Sequence, residues 1–425
     1  MLVLKLTLIA YIAIWLLAMI IAYGYGRVGR RLQKLERLAQ VTEALPPLSI
    51  VITAHNQASS LRRHLPAILT QDYDRFEVIV VNTGSNDETQ DVLERLELQY
   101  ANLRHTFTPR SARDISLERL ALTLGIRSAT YDWVVLTHPD CEPATTQWLT
   151  RIGETIAQPR RGVQSRRLKE PDMVLGLTHY HYHRKSWFTH KVDFFRLWND
   201  IANFNHVLTG HAAMRADGCN MAYRKEFFLE KGGFAAHQNL KTGTEELLVN
   251  HNSNARNTAL LLAPSAVMIQ DPMPARRLWK QQRVFYAETR RYQRHRWLYR
   301  AKQNLKMFMP WLLAFASLVV LLIPLLPFLS EYIPENILDE LNLGSLLHFG
   351  DPSTILVASI IIVCLLLLIY VIVKISSFNR SAHQLGCSGF YLSFLPFEHR
   401  LPFWNLSAAI THRFTSKNEF RKKFV

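Results

Sequence analysis

The chain has 425 residues, 48% of them apolar, with 50 Lys and Arg against 34 Asp and Glu, a formal net charge of +16. That length holds one large soluble domain plus extra segments, and the four cysteines (Cys141, Cys219, Cys364, Cys387) are too widely spaced for a disulfide framework or a zinc motif. The charge does not call for nucleic acid. Basic residues gather beside apolar runs, where each contributes about 1 kcal/mol against anionic lipid head groups, and the stretch that interleaves them with aromatics, RRYQRHRWLYR at 290–300, stands directly before such a run.

The first element, 1–26, contains an uncharged run from 6 to 26, about twenty residues, which suffices to cross a hydrocarbon core of about 30 Å. It lacks a small-residue cleavage site and exceeds a signal-peptide h-region, so an uncleaved transmembrane anchor is expected. A basic juxtamembrane linker follows at 27–46, with Arg27, Arg30, Arg31, Lys34 and Arg37. Residues 47–275 then alternate strand and helix. The β-branched run LSIVITA at 48–54 suits a buried parallel strand and leads into a helical pattern through Leu61, Leu65, Ile68 and Leu69. FEVIVV at 76–81 is a second strand, with a helix through Val92, Leu93 and Leu96 behind it. A short strand near 103–107, a helix through Leu117, Leu120, Leu124 and Ile126, and a fourth strand at 133–136 complete the series. Such alternation predicts an α/β fold with a doubly wound, mainly parallel sheet. Ligands bind such sheets beyond the carboxyl ends of the strands, so the turns after the first, second and fourth strands should share one crevice.

Beyond the soluble domain, 276–306 reads as a basic amphipathic interfacial segment, 307–330 and 352–373 as transmembrane helices, and 331–351 as a short acidic loop without Lys or Arg. The tail, 374–425, begins with Lys374 and Arg380; its aromatic, proline-interrupted part, 390–414, is expected to lie in the interface plane. Positive charge collects on the cytoplasmic side. All the flanks therefore agree on an integral protein of the cell (inner) membrane whose soluble domain and tail are cytoplasmic and whose acidic loop is outside.

Three strings resemble, in order and spacing, the opening half of family 2 glycosyltransferases of the GT-A fold: PLSIVITAHNQ from 47, FEVIVVNTGSNDET from 76 and VVLTHPDCEP from 134. The later strings agree: GCNMAYR at 218–224 is similar to the acceptor-side motif, GTEEL at 243–247 sits where the family carries its acidic base, and WKQQR at 279–283 is similar to the Gln/Arg/Trp motif of membrane-bound members. The resemblance covers about residues 47 to 300. It implies transfer of a sugar from a UDP- or GDP-linked donor to a lipid-linked or nascent glycan acceptor at the cytoplasmic face. By position it assigns the donor nucleotide to His55, Asn56, Asn82, His138 and Asp140, a Mn²⁺ or Mg²⁺ ion to Asp140, the acceptor side to Asn220, Gln281, Gln282 and Arg283, and the base to Glu245 or Glu246.

Four positions depart from the family's pattern. Thr83 and His138 stand where acidic groups are usual, Glu118 (beside Arg119) where a phosphate-binding lysine is frequent, and Thr244 where the base carboxylate would be. Three roles are open to His138: metal ligand, donor to a phosphate, or turn residue. A plain helix cap is open to the 55–56 turn and to Asp87, and a solvated helix start to the two glutamates. His179, His181 and His183 would share a face of a strand, without a fourth zinc ligand in view. The alternative function is a catalytically degenerate relative that binds a nucleotide sugar or scaffolds an active partner.

Overall fold

The computed structural model describes residues 2–35, 44–108, 117–157, 171–180, 186–234, 240, 242–272, 275–294, 296–325 and 352–420. The acidic loop at 331–351 and the histidines 181 and 183 lie outside the described residues. The chain divides into two compact units: Met1–Arg27, Arg300–Ser381 and Phe390–Pro402 form one, and Val28–Tyr299, Ala382–Gly389 and Phe403–Val425 the other.

The second unit is an α/β domain. Among the described residues its main sheet has the order β3-β2-β1-β4-β8-β6-β9, and a small sheet has the order β5-β10-β7. β1 (Leu48–Ala54), β2 (Phe76–Asn82), β3 (Leu103–Phe107) and β4 (Trp133–Thr137) are parallel neighbours, as the alternating pattern predicts. β1 is buried along nearly its whole length, which is why it reads as a continuous apolar run rather than an alternating one. α3 (Ala58–Leu69), α4 (Thr89–Gln99) and α5 (Leu117–Ser128) cover the parallel half. The mixed half was not legible, because its strands are short: β5 (Cys141–Pro143), β6 (Met173–Leu175), β7 (Thr178–Tyr180), β8 (Met221–Arg224), β9 (Thr258–Leu260) and β10 (Met268–Gln270). Such lengths leave no periodicity to detect. Between them run α6 (Trp148–Ala157), α7 (Trp187–Leu208), α8 (Lys225–Glu230) and α9 (Thr244–Asn252), with α10 (Arg276–Tyr292) after β10.

Three helices are long and apolar enough to cross a membrane: Lys5–Tyr25 within α1 (Leu2–Tyr25), Trp297–Leu325 along α11 (Arg296–Leu322), and Ser353–Gln384 within α12 (Pro352–Gln384). In the first unit they meet through Tyr11, Ala18, Ala22, Leu313, Ala316, Val363 and Tyr370, the alanines among them letting the helices approach. Ile9, Ile20, Phe315, Ile361 and Leu365 point outward, as lipid-facing side chains do.

Two sequence expectations change. α12 continues to Gln384 rather than stopping at 373, and Lys374 is not a free flanking charge: it is buried, 2.7 Å from Glu398. A buried cation persists where a partner offsets its desolvation. The tail, expected to be broken by its prolines, folds as one helix, α13 (Phe394–Phe414), with Pro402 inside it. A short helix, α14 (Lys417–Phe420), follows.

Candidate active site

Sheet register decides which residues meet. β1 and β2 end together, Ala54 opposite Asn82, and Ile52 pairs with Thr137 at the end of β4. β8 is antiparallel to β4, with Met221 opposite Leu136, so the turn at 218–220 that feeds β8 arrives where β4 gives way to His138. In the small sheet Gln270 pairs with both Cys141 and Tyr180, which sets its amide beside Asp140.

At this edge lies a cavity of about 520 Å³. His138, Gly218, Cys219, Glu118, Glu245 and Glu246 line it, together with Trp279, Gln281, Gln282 and Arg283 of α10, Phe195 and Arg196 of α7, and Arg215. Six residues singled out from sequence (His138, Glu245, Glu246, Gln281, Gln282, Arg283) therefore share one cavity. Gly218 makes their approach possible: a Cβ there would sit 3.1 Å from His138 Nε2 and 3.1 Å from Glu245 Cγ and Cδ.

The remaining candidates sit elsewhere. His55 and Asn56 are exposed at the end of β1. His55 Nδ1 lies 3.3 Å from the Thr83 carbonyl, and Asn56 adopts φ 53° with its amide N–H donating to Ser85 Oγ and its Oδ1 accepting from the Asn86 N–H. Asn82 is buried; its Oδ1 accepts from the Ser85 N–H and Oγ, and its Nδ2 donates to Gln90. Asn220 is also buried, accepting from Trp148 Nε1 at 3.0 Å and donating to the Leu177 and Ala266 carbonyls. Its side chain fills space left by Gly176, where a Cβ would come within 2.5 Å of it. Asp87 takes the N–H groups of Ala58 and Thr89, serving two helix starts.

Electrostatics separates the two glutamates. Burial, with the Glu118 carboxylate adding, pushes the Glu245 carboxyl above the usual range, while His138 and Arg119 oppose the shift. Glu246 is raised by burial too, against Arg215, and its Oε1 is occupied by Gln293 Nε2 at 2.7 Å. Thr244 accepts from Arg119 Nε at 3.1 Å, so its hydroxyl is engaged away from any base. His138 is pushed up by the Cys219 sulfur beside it, with Glu245 and Asp140 adding; Cys219 is pulled down by a hydrogen bond from Cys141 and by His138. Burial lowers Arg283 to about 10, its guanidinium lying over the Phe195 and Trp279 rings.

Sequence reasoning missed Arg196, Arg215 and Gln270. Arg196 donates to Asp217 and, at 3.1 Å, to Gln270 Oε1, and Arg215 pairs with Asp200 at 3.6 Å. Arg215 and Asp217 lie just before the GCN motif, a signal that was available. Arg196 on α7 and Gln270 on β10 carry no local signal and arrive through the fold alone.

A divalent ion at Asp140 is what the family resemblance implies. One or two carboxylates suffice when nucleotide phosphates complete the shell, so what faces Asp140 decides the fit. Its Oδ2 accepts from Gln270 Nε2 at 3.1 Å, and its Oδ1 lies 3.6 Å from Cys141 Sγ. Gln270, not Asp140, lines the cavity. Among the described residues no three His, Cys, Asp or Glu side chains converge on a point. This donor set does not fit Mn²⁺ or Mg²⁺ held by Asp140. For the histidine strand, His179 Nε2 lies 2.9 Å from the Leu385 carbonyl, with Cys387 Sγ 3.2 Å away.

Comparison with known proteins agrees with this architecture. The sequence model described as Glycosyl transferase family 2 matches residues 49–228. The glycosyltransferase AglE of Haloferax volcanii is 29% identical over 119 residues, 28% of this chain and 38% of that protein. A probable glycosyltransferase, YdaM of Bacillus subtilis, is 36% identical over 66 residues, 15% of this chain and 16% of that protein. The chain thus spans well under half the length of these relatives. Among solved structures, the mannosyltransferase PcManGT from Pyrobaculum calidifontis, in complex with GDP-Man and Mn²⁺, superposes with a TM-score of 0.50 at 16% identity, covering 97% of this chain and 99% of that one. The fold is GT-A.

Proposed function

We propose that this chain, whose residues 49–228 carry a family 2 glycosyltransferase domain, is a membrane-anchored enzyme that moves a sugar from a nucleotide donor to a hydroxyl of a lipid-linked or glycan acceptor. The observation that carries this reading is the meeting of Glu245 and His138 across Gly218, in a cavity that Gln281, Gln282 and Arg283 also line. Glu245 takes the proton of the acceptor hydroxyl. The acceptor oxygen bonds to the anomeric carbon, the bond from that carbon to the diphosphate breaks, and the electron pair leaves with the nucleoside diphosphate. A carboxyl raised by burial is a stronger base than an ordinary one, and hydrogen-bond donors at the leaving oxygen stabilise its charge.

His55 and Asn56, exposed at the end of β1, supply the nucleotide side; Asn82 supports them from within through Ser85. Aromatic rings on the α7 and α10 walls give sugar or isoprenoid a face to lie against. The basic residues flanking the apolar helices favour an inner membrane location with the domain in the cytoplasm. UDP- and GDP-sugars are the donors to try first; GDP-Man is the ligand of the PcManGT structure.

One observation favours a second reading, a domain that binds a nucleotide sugar without transferring it: Thr244, at the family's base position, holds Arg119. Purified full-length protein, offered a panel of UDP- and GDP-sugars with membrane lipid extract as acceptor, separates the two. Nucleoside diphosphate release supports transfer; binding with no release from any donor supports the second reading.

A further inference from the structure

We propose that this site engages its nucleotide without a divalent cation, the diphosphate being met by N–H donors of the protein: the His138 imidazole, the Arg196 guanidinium and the Gln270 amide. The inference rests on the transferase reading above. It starts from the turn that ends β4, where a metal-dependent relative would present two carboxylates. Here the side chain that reaches the cavity from that turn is His138, and Asp140 stands behind Gln270.

Gln270 links the group. Its Nε2 donates to Asp140 Oδ2 at 3.1 Å, and its Oε1 accepts from Arg196 Nη1 at 3.1 Å. Asp140 Oδ2 already accepts a hydrogen bond from an amide, and the largely buried Arg196 guanidinium lies one hydrogen bond further on. An amide has a second N–H and a guanidinium five in all, so Gln270 and Arg196, both lining the cavity, have donors to offer beyond those they spend on Asp140 and Asp217. A metal ion needs lone pairs aimed at one point; phosphate oxygens need donors. This wall supplies donors. Glu245 meets His138 across Gly218, and an ion bound there would occupy the group that must take the acceptor's proton.

The test uses full-length protein in lipid nanodiscs, with calorimetric titration of UDP and GDP in EDTA and in Mn²⁺, and electron paramagnetic resonance of Mn²⁺ to count bound ion directly. Affinity for the preferred nucleotide should be the same in both buffers to within about twofold, with no bound-ion signal with or without nucleotide. His138→Ala should lose about tenfold in affinity in EDTA, and His138→Asp, which restores a second carboxylate, should make binding depend on Mn²⁺. Nucleotide binding that requires Mn²⁺ in the unmutated protein, or a bound-ion signal that Asp140→Ala removes, overturns the inference and leaves the transferase reading standing. Failure of both nucleotides to bind in either buffer takes down both.

Discussion

Gly218 is where a single atom decides the site. A Cβ added there would stand 3.1 Å from both His138 Nε2 and the Glu245 side chain, so one of them must shift by a few tenths of an ångström. Misplacement by 1 Å costs about a hundredfold in rate; Gly218→Ala should therefore lose about tenfold in turnover with an unchanged circular dichroism spectrum, and full activity would contradict the geometry. Asn220 belongs to another class of effect. Truncating it leaves Trp148 Nε1 and the Leu177 and Ala266 carbonyls without their partner, at about 1–3 kcal/mol for each group left unsatisfied. Asn220→Ala should fall well short of wild type in denaturant midpoint before any question of activity arises. Sequence could place both residues in a motif, but not tell them apart: glycine and asparagine two positions from each other look equally functional until the fold shows one lining the cavity and the other buried. Gln270 and Arg196 were invisible for the opposite reason, because the hydrogen bonds that join Arg196 to Gln270 and Gln270 to Asp140 link positions more than seventy residues apart.

The decisive element is α10. It carries Gln281, Gln282 and Arg283 into the cavity, and residues 404–412 hold it in place: Arg283 Nη2 donates to Asn405 Oδ1 at 3.1 Å, His412 Nε2 lies 2.7 Å from Glu288 Oε2, and Trp404 packs edge-on against Trp279. Deleting 403–425 should raise amide hydrogen exchange across 276–292 while β1 to β4 stay protected; unchanged exchange in α10 would show that the tail does not brace it. Burial works against the charge of Glu288, yet hydrogen bonds from His412 and Tyr292 outweigh it and hold the carboxyl below its ordinary 4.5. This bracing is thus present above that value and is lost as pH falls below it. At this scale the parallel strands and their helices were readable, since burial on both faces writes a continuous apolar run. The short strands of the mixed half were not, and the tail's prolines read as breaks although the helix passes through Pro402.

Across the whole chain, two units coexist, a GT-A domain and a set of apolar helices able to cross a membrane. The helices were the most legible feature of all, because length and hydropathy alone define them. Orientation was read from flanking charge, and Lys374 has to be withdrawn from that count now that it is paired with Glu398; the arginines after the first run and before the second remain. In a background with its native cysteines replaced, Glu340→Cys should react with an impermeant maleimide from outside intact cells and Asn86→Cys only after lysis; the reverse pattern would invert the proposed topology. The domain's chemistry was only half legible, because recognising a family locates a site, whereas the departures at His138 and Thr244 make sense only once their neighbours in space are seen. Thr244 holding Arg119 and Glu245 facing His138 are the two contacts on which the proposed shift of the base by one residue rests. The measurement that bears most directly on this is nucleoside diphosphate release against pH by the wild type and by Glu245→Gln, with the donor that the wild type turns over. The wild type should lose activity as pH falls through a point above the ordinary carboxylate range, and Glu245→Gln should lose at least about a hundredfold at every pH while still binding the nucleotide. A Glu245→Gln enzyme that keeps wild-type turnover and the same pH limb would contradict the account.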